Sequence, residues 1–426
     1  MKFHNQVLLA MAAGIALGFA MNDGGPLSGL PILPVLSLIA TLFINALKMV
    51  VVPLVMSAIM MGILNISDGH PLGRLGLRTL VYYLFTTLVA VLIGLLVVNS
   101  LTPGVIDGQP AGPLLGLSEE TPETVAQLAG SSGSDFAGII IKLVPPNIVA
   151  AAVEGQLLGL IVFSLLFALF LRQQKTDAAQ RLKEVIDGIY QAMMAVTLFV
   201  IRFAPLGVFA LIARTVASTG FDAVAPLGWF FLTVVVALTL HAFVFMPLLI
   251  LLVGRRSPVR HGQAMLPALL TAFSSASSSA TLPLTLECTE KRAGVSNRTA
   301  SFVLPLGATV NMDGTALYEC AAVLFIAQAY GMDLSLAQQA SVVLIALLTS
   351  IGVAGIPSAS LVAITVILTS LGLPAEAIGL ILATDRLLDM FRTAVNVWGD
   401  SVGAVLVARA EGEEQVLMND VEAQWR

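Results

Sequence analysis

Charged side chains are scarce in this sequence. Asp, Glu, Lys and Arg make up 11% of the 426 residues, against about 25% in a soluble globular protein. Apolar residues make up 57%, and the mean hydropathy is +0.93. So little charge excludes an ordinary soluble domain and predicts a polytopic membrane protein. At about 20 residues per span plus connections, the chain suffices for about eight to ten spans.

Cysteine and histidine are also scarce. The two cysteines, Cys288 and Cys320, give no metal-binding spacing and no disulfide framework, so we interpret both as small buried hydrophobes. His241 is isolated inside an apolar run and carries no assignment. The formal net charge of -5 does not set orientation, because orientation follows Lys and Arg in short connections.

Lys and Arg are absent from two connections, 22–34 and 102–135, the second of which is long and polar. Basic residues are concentrated in the intervening connections: Arg74, Arg78, Arg172, Lys175, Arg181, Lys183, Arg255, Arg256 and Arg260. The positive-inside rule therefore predicts that the N-terminus and every second connection are cytoplasmic.

Apolar segments fill most of the chain, and several exceed 30 residues, which predicts tilted or broken helices. They run over 7–21, 32–66, 75–101, 137–171, 178–213, 223–253, 263–286, 297–330, 338–372 and 376–409. The first also fits a signal peptide, since a basic start precedes a short apolar core that ends in small residues. The many apolar segments that follow favour a first span instead.

The basic residues also predict two segments that do not cross the membrane. They lie at 255–260 and 291–298, on both flanks of 263–286, so a full span between them would break the alternation of sides. The connections on both sides of 338–372 contain no Lys or Arg, so both are predicted to lie outside, and the chain returns to the inside only after Arg409. A full span over 338–372 would therefore also break the alternation. Both segments are predicted to be re-entrant hairpins, entered from opposite sides.

The predicted tips of both hairpins, 274–280 and 350–358, consist largely of small residues. Non-helical backbone survives at membrane depth only where protein or water satisfies its polar groups. Each hairpin is followed by a helix that carries polar residues. Such a unit, repeated from opposite sides, is typical of inverted-repeat transporters, whose site lies where interrupted segments meet.

A polar stripe follows the last apolar segment. At about 100° per residue, its members fall within about 80° of one helical face. They are Asp385, Asp389, Arg392, Asn396 and Asp400. Ionisable groups at membrane depth cost several kcal/mol each unless they are paired or face water, so the stripe predicts a site or an ion pathway.

The helix after the first hairpin carries a second polar cluster. Residues 311–315 read Asn-Met-Asp-Gly-Thr. Carboxylate, amide and freed carbonyl oxygens of an unwound turn suit a hard cation such as Na+. The alternative is a structural helix break in which Asp313 is satisfied by hydrogen bonds. Asp400 on the last helix is a second candidate cation ligand.

Arg392 and Asp389 predict the chemistry of a substrate. The guanidinium suits a carboxylate, and a carboxylate one turn away suits an ammonium group. Together they describe an acidic amino acid. The alternative, in which the two side chains neutralise each other at i, i+3, stays open.

Glu319 is the remaining titratable group near the 311–315 cluster. Burial favours the neutral form of a carboxyl, which makes Glu319 a candidate proton carrier. A plain internal hydrogen bond is the alternative. Hydroxyls on the third apolar segment are interpreted, by composition alone, as packing residues: Tyr82, Tyr83, Thr86 and Thr87.

These fragments together resemble one known family. The serine run 277–279, the 311–315 motif, the 352–357 tip and the 389–400 stripe, in this order, are similar to the dicarboxylate/amino acid:cation symporters, the glutamate transporter family. The resemblance implies an all-α polytopic membrane protein with eight transmembrane helices, two re-entrant helical hairpins and inverted repeats. It also implies an elevator-type transporter that assembles as a homotrimer.

The resemblance also implies a division of the chain. Residues 1–70 and 137–215 would mainly form the trimerisation scaffold, 73–101 and 223–409 the transport domain, and 410–426 a cytoplasmic tail. The protein is expected in the plasma membrane, here a bacterial inner membrane, with both termini cytoplasmic. It would contact membrane lipid and no nucleic acid.

Carried over by motif, the resemblance implies a set of site residues. Substrate would be bound by Ser277, Ser278, Thr315, Ile356, Asp389, Arg392, Thr393 and Asn396. Within that set Asp389 would meet the ammonium group and Arg392 the side-chain carboxylate. Sodium would be bound by Tyr83, Thr86, Thr87, Gly307, Thr309, Asn311, Asp313, Ser350, Ile351, Val353, Asn396 and Asp400. Glu319 would carry a proton, and no organic cofactor is implied.

Two positions depart from the family's sodium-only archaeal members. Ala276 stands where those members have an Arg, and Arg386 is the candidate replacement for its charge. Glu319 matches the animal neurotransmitter transporters, which favours proton as well as sodium coupling. No residue supports potassium counter-transport. Nor does the sequence rank aspartate against glutamate, which differ by about one methylene.

Competing functions fit less well. A C4-dicarboxylate carrier of the same family needs no ammonium partner such as Asp389, and a neutral amino acid carrier would lack Arg392. An ion channel also uses cation sites and hairpins, but it requires no stoichiometric uptake. An intramembrane protease is disfavoured because no His lies near the serine run.

Overall fold

A computed structural model describes residues 3–22, 26–27, 31–64, 74–115, 144–153, 157–219, 224–350, 360–374 and 377–418. The fold is helical, with one exception to the all-α prediction. Strands β1 (Val105–Ile106) and β2 (Gln109–Pro110) pair antiparallel in the long polar connection. Asp107 and Gly108 between them both have positive φ, 50° and 76°, which is the conformation that a tight two-residue hairpin turn requires.

The described part of the first half of the chain contributes seven helices. They are α1 (Phe3–Met21), α2 (Leu33–Leu64), α3 (Arg74–Leu101), α4 (Ile148–Val153), α5 (Leu157–Gln173), α6 (Asp177–Arg202) and α7 (Ala204–Thr219). α1 packs along α7, and α2 packs against α5, α6 and α7. The apolar segment 178–213 is interrupted at Phe203, two residues before Pro205, whose missing N–H favours a helix start.

The helices of the second half surround a buried centre. They are α8 (Val224–Leu240), α9 (Met246–Leu252), α10 (Pro258–Ser275), α11 (Ser278–Glu287), α12 (Asn297–Val310), α13 (Asp313–Ala329), α14 (Leu336–Ser350), α15 (Ser360–Ser370) and α16 (Ile378–Ala410). A π-helical turn, His241–Phe245, joins α8 to α9. It ends two residues before Pro247, which has no N–H for the regular helical ladder.

Helix α13 is the centre of this half. Its residues from Asp313 through Ala327 are all buried, and α3, α8, α14, α15 and α16 pack around it. Among the described residues, three helical runs are long and apolar enough to cross a membrane: Arg74–Leu101, Ala225–Leu252 and Asn297–Ala329. A helix that is apolar all round, as α13 largely is, belongs in the core of a membrane protein.

Helices α10 and α11 pack against each other and form hairpin 1. The chain reverses at Ala276, which is left-handed with φ 50°, and Ser277 then caps α11 by accepting a hydrogen bond from the Ala280 amide at 3.2 Å. Helices α14 and α15 also pack against each other, as hairpin 2. Apart from Ser350, its predicted tip lies outside the described residues, and with it the predicted site residues Ile351, Val353 and Ile356.

Residues 411–418, which we call the C-terminal clasp, fold back onto hairpin 1. Arg256, just before α10, donates to two clasp carbonyls at 2.6 and 2.7 Å. The Leu417 amide donates to the Ala293 carbonyl at 2.8 Å, and Val416 and Leu417 are buried. The described part of the predicted cytoplasmic tail is therefore docked onto both ends of hairpin 1.

Glu413 is the polar anchor of the clasp. Its carboxylate accepts from the Ser296 amide and hydroxyl at 2.8 and 2.7 Å and from the Thr299 hydroxyl at 2.6 Å, at the start of α12. Partial burial by itself raises the pKa of the Glu413 carboxyl, but these hydrogen bonds outweigh it. The net pKa therefore lies below the usual value.

Replacing Glu413 with glutamine is expected to lower the stability of the protein by about 1 kcal/mol, allowing for solvent screening. The pKa of Glu413 is lower in the folded protein than in the unfolded chain. Its carboxylate therefore contributes fully to the free energy of unfolding above the unfolded-state pKa of about 4.3, and this contribution is lost as pH falls through the folded-state pKa. Thermal unfolding in detergent at neutral and acidic pH measures both effects. Glu414→Gln, the same change at an exposed neighbour, is the control. Equal destabilisation by both variants contradicts the anchoring role.

Candidate functional site

The predicted helix interruption is present between α12 and α13. Asn311 and Met312 lie between the two helices with non-helical backbone, φ -103°, ψ 88° and φ -115°, ψ 61°. Both residues are buried. A buried break of this kind exposes backbone and side-chain oxygens to a cavity or a ligand, where a continuous helix would not.

Two buried carboxylates face the interruption. Asp313 Oδ1 accepts a hydrogen bond from Thr87 Oγ1 at 2.7 Å, and Asp400 Oδ1 accepts one from Asn311 Nδ2 at 3.0 Å. Within the described part of the chain, no Lys or Arg forms an ion pair with either carboxylate. Buried carboxylates are costly without a compensating charge, so this arrangement suits a bound cation.

His241, which carried no assignment from the sequence, belongs to this cluster. Its Nε2 lies 3.2 Å from Asp313 Oδ2, and both side chains are fully buried. The π-helical turn that begins at His241 directs the ring from α8 towards α13. The signal was available in the sequence, because an ionisable side chain inside an apolar run marks a functional position by default.

Helix α3 lies close to the Asp313 and Asp400 carboxylates, and its hydroxyl groups form hydrogen bonds in this cluster. The Tyr83 hydroxyl donates to the Val303 carbonyl at 2.6 Å, and Thr86 Oγ1 lies 3.4 Å from Asp313 Oδ1. A Cβ on Gly307 would lie 2.5 Å from Asp400 Oδ1 and 2.6 Å from the Tyr83 hydroxyl, so only glycine fits there. The structure thus brings together seven predicted sodium ligands: Tyr83, Thr86, Thr87, Gly307, Asn311, Asp313 and Asp400.

Asn396 links α16 to the start of α13. Its Oδ1 accepts from the Gly314 amide at 2.8 Å, and its Nδ2 donates to Thr315 Oγ1 at 3.0 Å. Gly314 allows this approach, because a Cβ there would lie 2.7 Å from the Arg392 carbonyl oxygen. One amide therefore holds the polar stripe in register with the interrupted helix.

Arg392 is the centre of the other half of the site. Its guanidinium is fully buried, donates to Asp389 Oδ1 at 2.9 Å and to Asp385 Oδ1 at 3.1 Å, and lies 4.0 Å from the ring centroid of Tyr318. Its other terminal nitrogen donates to Ser360 Oγ of hairpin 2 at 2.5 Å. Neither Tyr318 nor Ser360 was predicted from the sequence, since no local pattern marks them.

The carboxylates around Arg392 therefore neutralise it in this conformation, which is the alternative that the spacing left open. Asp389 is shared, because its Oδ2 also lies 3.3 Å from Arg386. Asp385 and Arg386, the residues with the loosest sequence assignments, thus have partners within the stripe. Arg386 lies on α16 and pairs with Asp389; its predicted role at the tip of hairpin 1 stays a prediction.

Glu319 is fully buried one turn beyond Thr315 on α13. Thr349 Oγ1 on hairpin 2 lies 3.0 Å from Glu319 Oε2 and 2.9 Å from the Ile345 carbonyl. Glu319 Oε1 has no hydrogen-bond partner among the described residues. The carboxyl therefore bridges α13 and hairpin 2 with one oxygen still unsatisfied.

The remaining predicted residues are placed less centrally. Ser278 and Thr393 are buried, Ser278 at the first turn of α11 and Thr393 on α16. Thr309 is exposed, and its hydroxyl contacts the Leu306 carbonyl at 3.0 Å. Ser350 is buried and bonds to the Leu347 carbonyl at 2.9 Å. The Thr309 and Ser350 hydroxyls thus bond within their own helices.

The site thus combines a buried arginine, paired with aspartates, and an interrupted helix that two carboxylates face. Comparison with known proteins places this combination in a family. The model of the Sodium:dicarboxylate symporter family matches residues 3–410. The chain belongs to this family. The match includes both hairpins, the interrupted helix and the whole polar stripe, so every element of the site lies within the family domain.

Relatives within the Sodium:dicarboxylate symporter family cover nearly the full chain. The Proton/glutamate-aspartate symporter of Escherichia coli (strain K12) is 37% identical over 95% of this chain and 92% of its own length. Excitatory amino acid transporter 3 of Oryctolagus cuniculus is 35% identical over 96% and 85%. The Putative sodium-dependent excitatory amino acid transporter glt-4 of Caenorhabditis elegans is 34% identical over 94% and 88%.

Membership in the Sodium:dicarboxylate symporter family makes this chain a membrane transporter. The long apolar helices and the buried ionisable groups agree with that class. The site geometry can therefore be interpreted as that of a carrier for small charged solutes.

Proposed function

We propose that this protein takes up acidic amino acids, aspartate or glutamate, by symport with sodium and protons. The observation that carries this proposal is Arg392, a fully buried guanidinium within hydrogen-bonding distance of two carboxylates. A planar guanidinium binds carboxylates in a fork geometry. The relatives whose names contain glutamate, aspartate or excitatory amino acid support the same substrate class.

A bound substrate could replace the ion pairs that the site residues form with each other. In the present conformation Asp389 pairs with both Arg386 and Arg392, and Asp385 also pairs with Arg392. An acidic amino acid would bring a side-chain carboxylate for Arg392 and an ammonium group for Asp389. The exchange keeps the buried charges paired, which avoids the cost of an isolated ion at membrane depth.

Sodium coupling rests on two carboxylates that form no ion pair with Lys or Arg in the described part of the chain. Asp313 and Asp400 face the interruption with hydroxyl and amide oxygens around them, a set of hard donors that suits Na+. The family description and the name of the nematode relative both include sodium. Asn396 contacts Gly314 and Thr315, and so would connect the sodium cluster to the substrate position.

Proton coupling rests on Glu319. A hydroxyl has one hydrogen to donate, so when Thr349 donates to the Ile345 carbonyl, its 3.0 Å contact with Glu319 requires a proton on the carboxyl. When Thr349 turns towards Glu319, the carboxyl can be ionised. The name of the bacterial relative, a proton symporter, agrees with a carried proton.

The architecture that we propose follows the family. Eight helices would span the membrane, hairpins 1 and 2 would be re-entrant, and three copies would assemble around scaffolds formed mainly by 1–70 and 137–215. The transport domain, mainly 73–101 and 223–409, would move as an elevator. Both termini would be cytoplasmic in a bacterial inner membrane. The packing of α2 on α5, α6 and α7, and of α3 on α13, supports this division.

The proposed function is tested by a substrate panel in proteoliposomes, with sodium and pH varied independently. Labelled aspartate or glutamate is expected to accumulate only with an inward sodium gradient, and succinate and serine are expected to compete poorly. Equal uptake in choline buffer removes sodium coupling. Accumulation of succinate in preference to both amino acids favours a C4-dicarboxylate carrier instead.

Replacing Glu319 with glutamine is expected to flatten the pH dependence of uptake and to preserve substrate binding. Glutamine keeps the size and the hydrogen-bonding contact of Glu319 but cannot exchange a proton. The measurement is initial uptake of labelled substrate across a pH series, with substrate binding assayed in parallel. Glu287→Gln, the same chemical change at an exposed position, should leave the profile unchanged. An unaltered pH profile in the Glu319 variant rules out the proton assignment.

A further inference from the structure

The corner between α5 and α6 forms a half-open cavity that the transport site does not use. Its volume is about 690 Å³, and it is lined by Leu169, Arg172, Lys175, Thr176, Asp177 and Lys183, among others. This volume lies in the usual range for small-ligand sites, about 300–1,000 Å³. Neither the substrate residues nor the sodium cluster contributes to its lining.

The lining of this cavity is positive. Three basic side chains, Arg172, Lys175 and Lys183, surround it with one acidic side chain, Asp177. Asp177 opens α6, a helix of 26 residues, where the positive end of the helix dipole offsets a negative charge. The cavity therefore keeps an excess of positive charge, which favours an anion.

The cavity also lies at the end of an apolar surface. Leu169 lines it, and Leu166, one turn earlier on α5, lies on the same helical face. The two side chains are 44% and 49% exposed. Because α5 is an apolar helix that ends at Gln173, its basic C-terminal corner stands where a membrane helix reaches the lipid headgroups.

We propose that this cavity binds the phosphodiester headgroup of an anionic phospholipid. The phosphate would lie among Arg172, Lys175 and Lys183, and the acyl chains would cover Leu166 and Leu169. A soluble phosphate offers the same charge but leaves the apolar surface bare. The juxtaposition of basic cavity and apolar helix face therefore selects the lipid.

The test is native mass spectrometry of the full-length protein in detergent, titrated with phosphatidylglycerol or phosphatidylcholine. One phosphatidylglycerol is expected to be retained in preference to phosphatidylcholine. Lys183→Gln should weaken its retention about fivefold, and adding Lys175→Gln should bring the loss to about 25-fold, since each juxtamembrane cation contributes a similar factor. Thermal unfolding of each variant confirms that the fold is intact.

Arg181→Gln is the matched control. It removes the same charge from the same exposed helix, but Arg181 does not line the cavity and lies about 200° around the helix from Lys183. Equal loss of lipid in the Arg181 and Lys183 variants means general surface attraction and overturns the site. Equal retention of phosphatidylcholine also overturns it. Displacement of the lipid by an equal concentration of glycerol phosphate assigns the cavity to a soluble anion instead.

Discussion

Replacing Arg392 with glutamine is expected to abolish uptake of aspartate and glutamate, with a loss of at least about 100-fold in the transport efficiency at low substrate. The change removes two charge-assisted hydrogen bonds to the proposed substrate carboxylate, each worth about 1.5–3 kcal/mol, at a fully buried position. The measurement is initial uptake of labelled aspartate into proteoliposomes as a function of concentration.

Loss of the fold is the competing explanation for such a result, because Asp385 and Asp389 would lose their buried partner. Two variants separate the cases. Arg392→Lys keeps the charge but not the planar fork, so it should fold and still transport poorly. Arg386→Gln removes the other guanidinium that pairs with Asp389, and should reduce uptake much less. Unchanged affinity for aspartate in the Arg392→Gln variant rules out the substrate role.

Replacing Asp400 with asparagine is expected to raise the sodium concentration for half-maximal uptake by at least about tenfold, which corresponds to about 1.4 kcal/mol. Asp400 is one of the two carboxylates that face the helix interruption, neither of which has a Lys or Arg partner in the described chain, and its Oδ1 lies against Asn311 and Gly307. Asparagine keeps an oxygen donor but removes the charge that a hard cation needs.

The measurement for Asp400→Asn is the sodium dependence of uptake at saturating aspartate, with ionic strength held constant. Asp333→Asn, an exposed carboxylate in the connection after α13, should leave the sodium curve unchanged. A normal sodium curve in the Asp400 variant would mean that this carboxylate only holds Asn311 in place. A shift in both variants would indicate a general effect of surface charge.

Much of the candidate site could be predicted because the membrane makes polar residues conspicuous. In a chain with 11% charged residues, the stripe on α16 and the Asn311–Thr315 motif at the start of α13 stand out at once. The structure contains the predicted helix break and groups the α3 hydroxyls with Asp313 and Asp400. Composition alone had favoured packing for those hydroxyls, because Tyr and Thr occur in apolar helices for many reasons.

Other parts of the site carried no usable signal. Tyr318 and Ser360 contact Arg392, yet a tyrosine on a buried helix and a serine at a helix start are ordinary residues in isolation. The C-terminal clasp belongs to a stretch that the sequence predicted only as a polar cytoplasmic tail. Its order depends on partners such as Arg256 and Ser296, which are more than 100 residues earlier in the chain.

The sequence by itself determined the class of protein and which faces of α13 and α16 are polar. Helical periodicity and the cost of charge in a bilayer suffice for those conclusions. Only the tertiary structure decided which polar faces meet: Asn311 with Asp400, Asp313 with His241, and Arg392 with Tyr318 and Ser360. Periodicity fixes the direction of a side chain around its own helix. It does not fix the rotation of one helix against another, which the packing of the whole core decides.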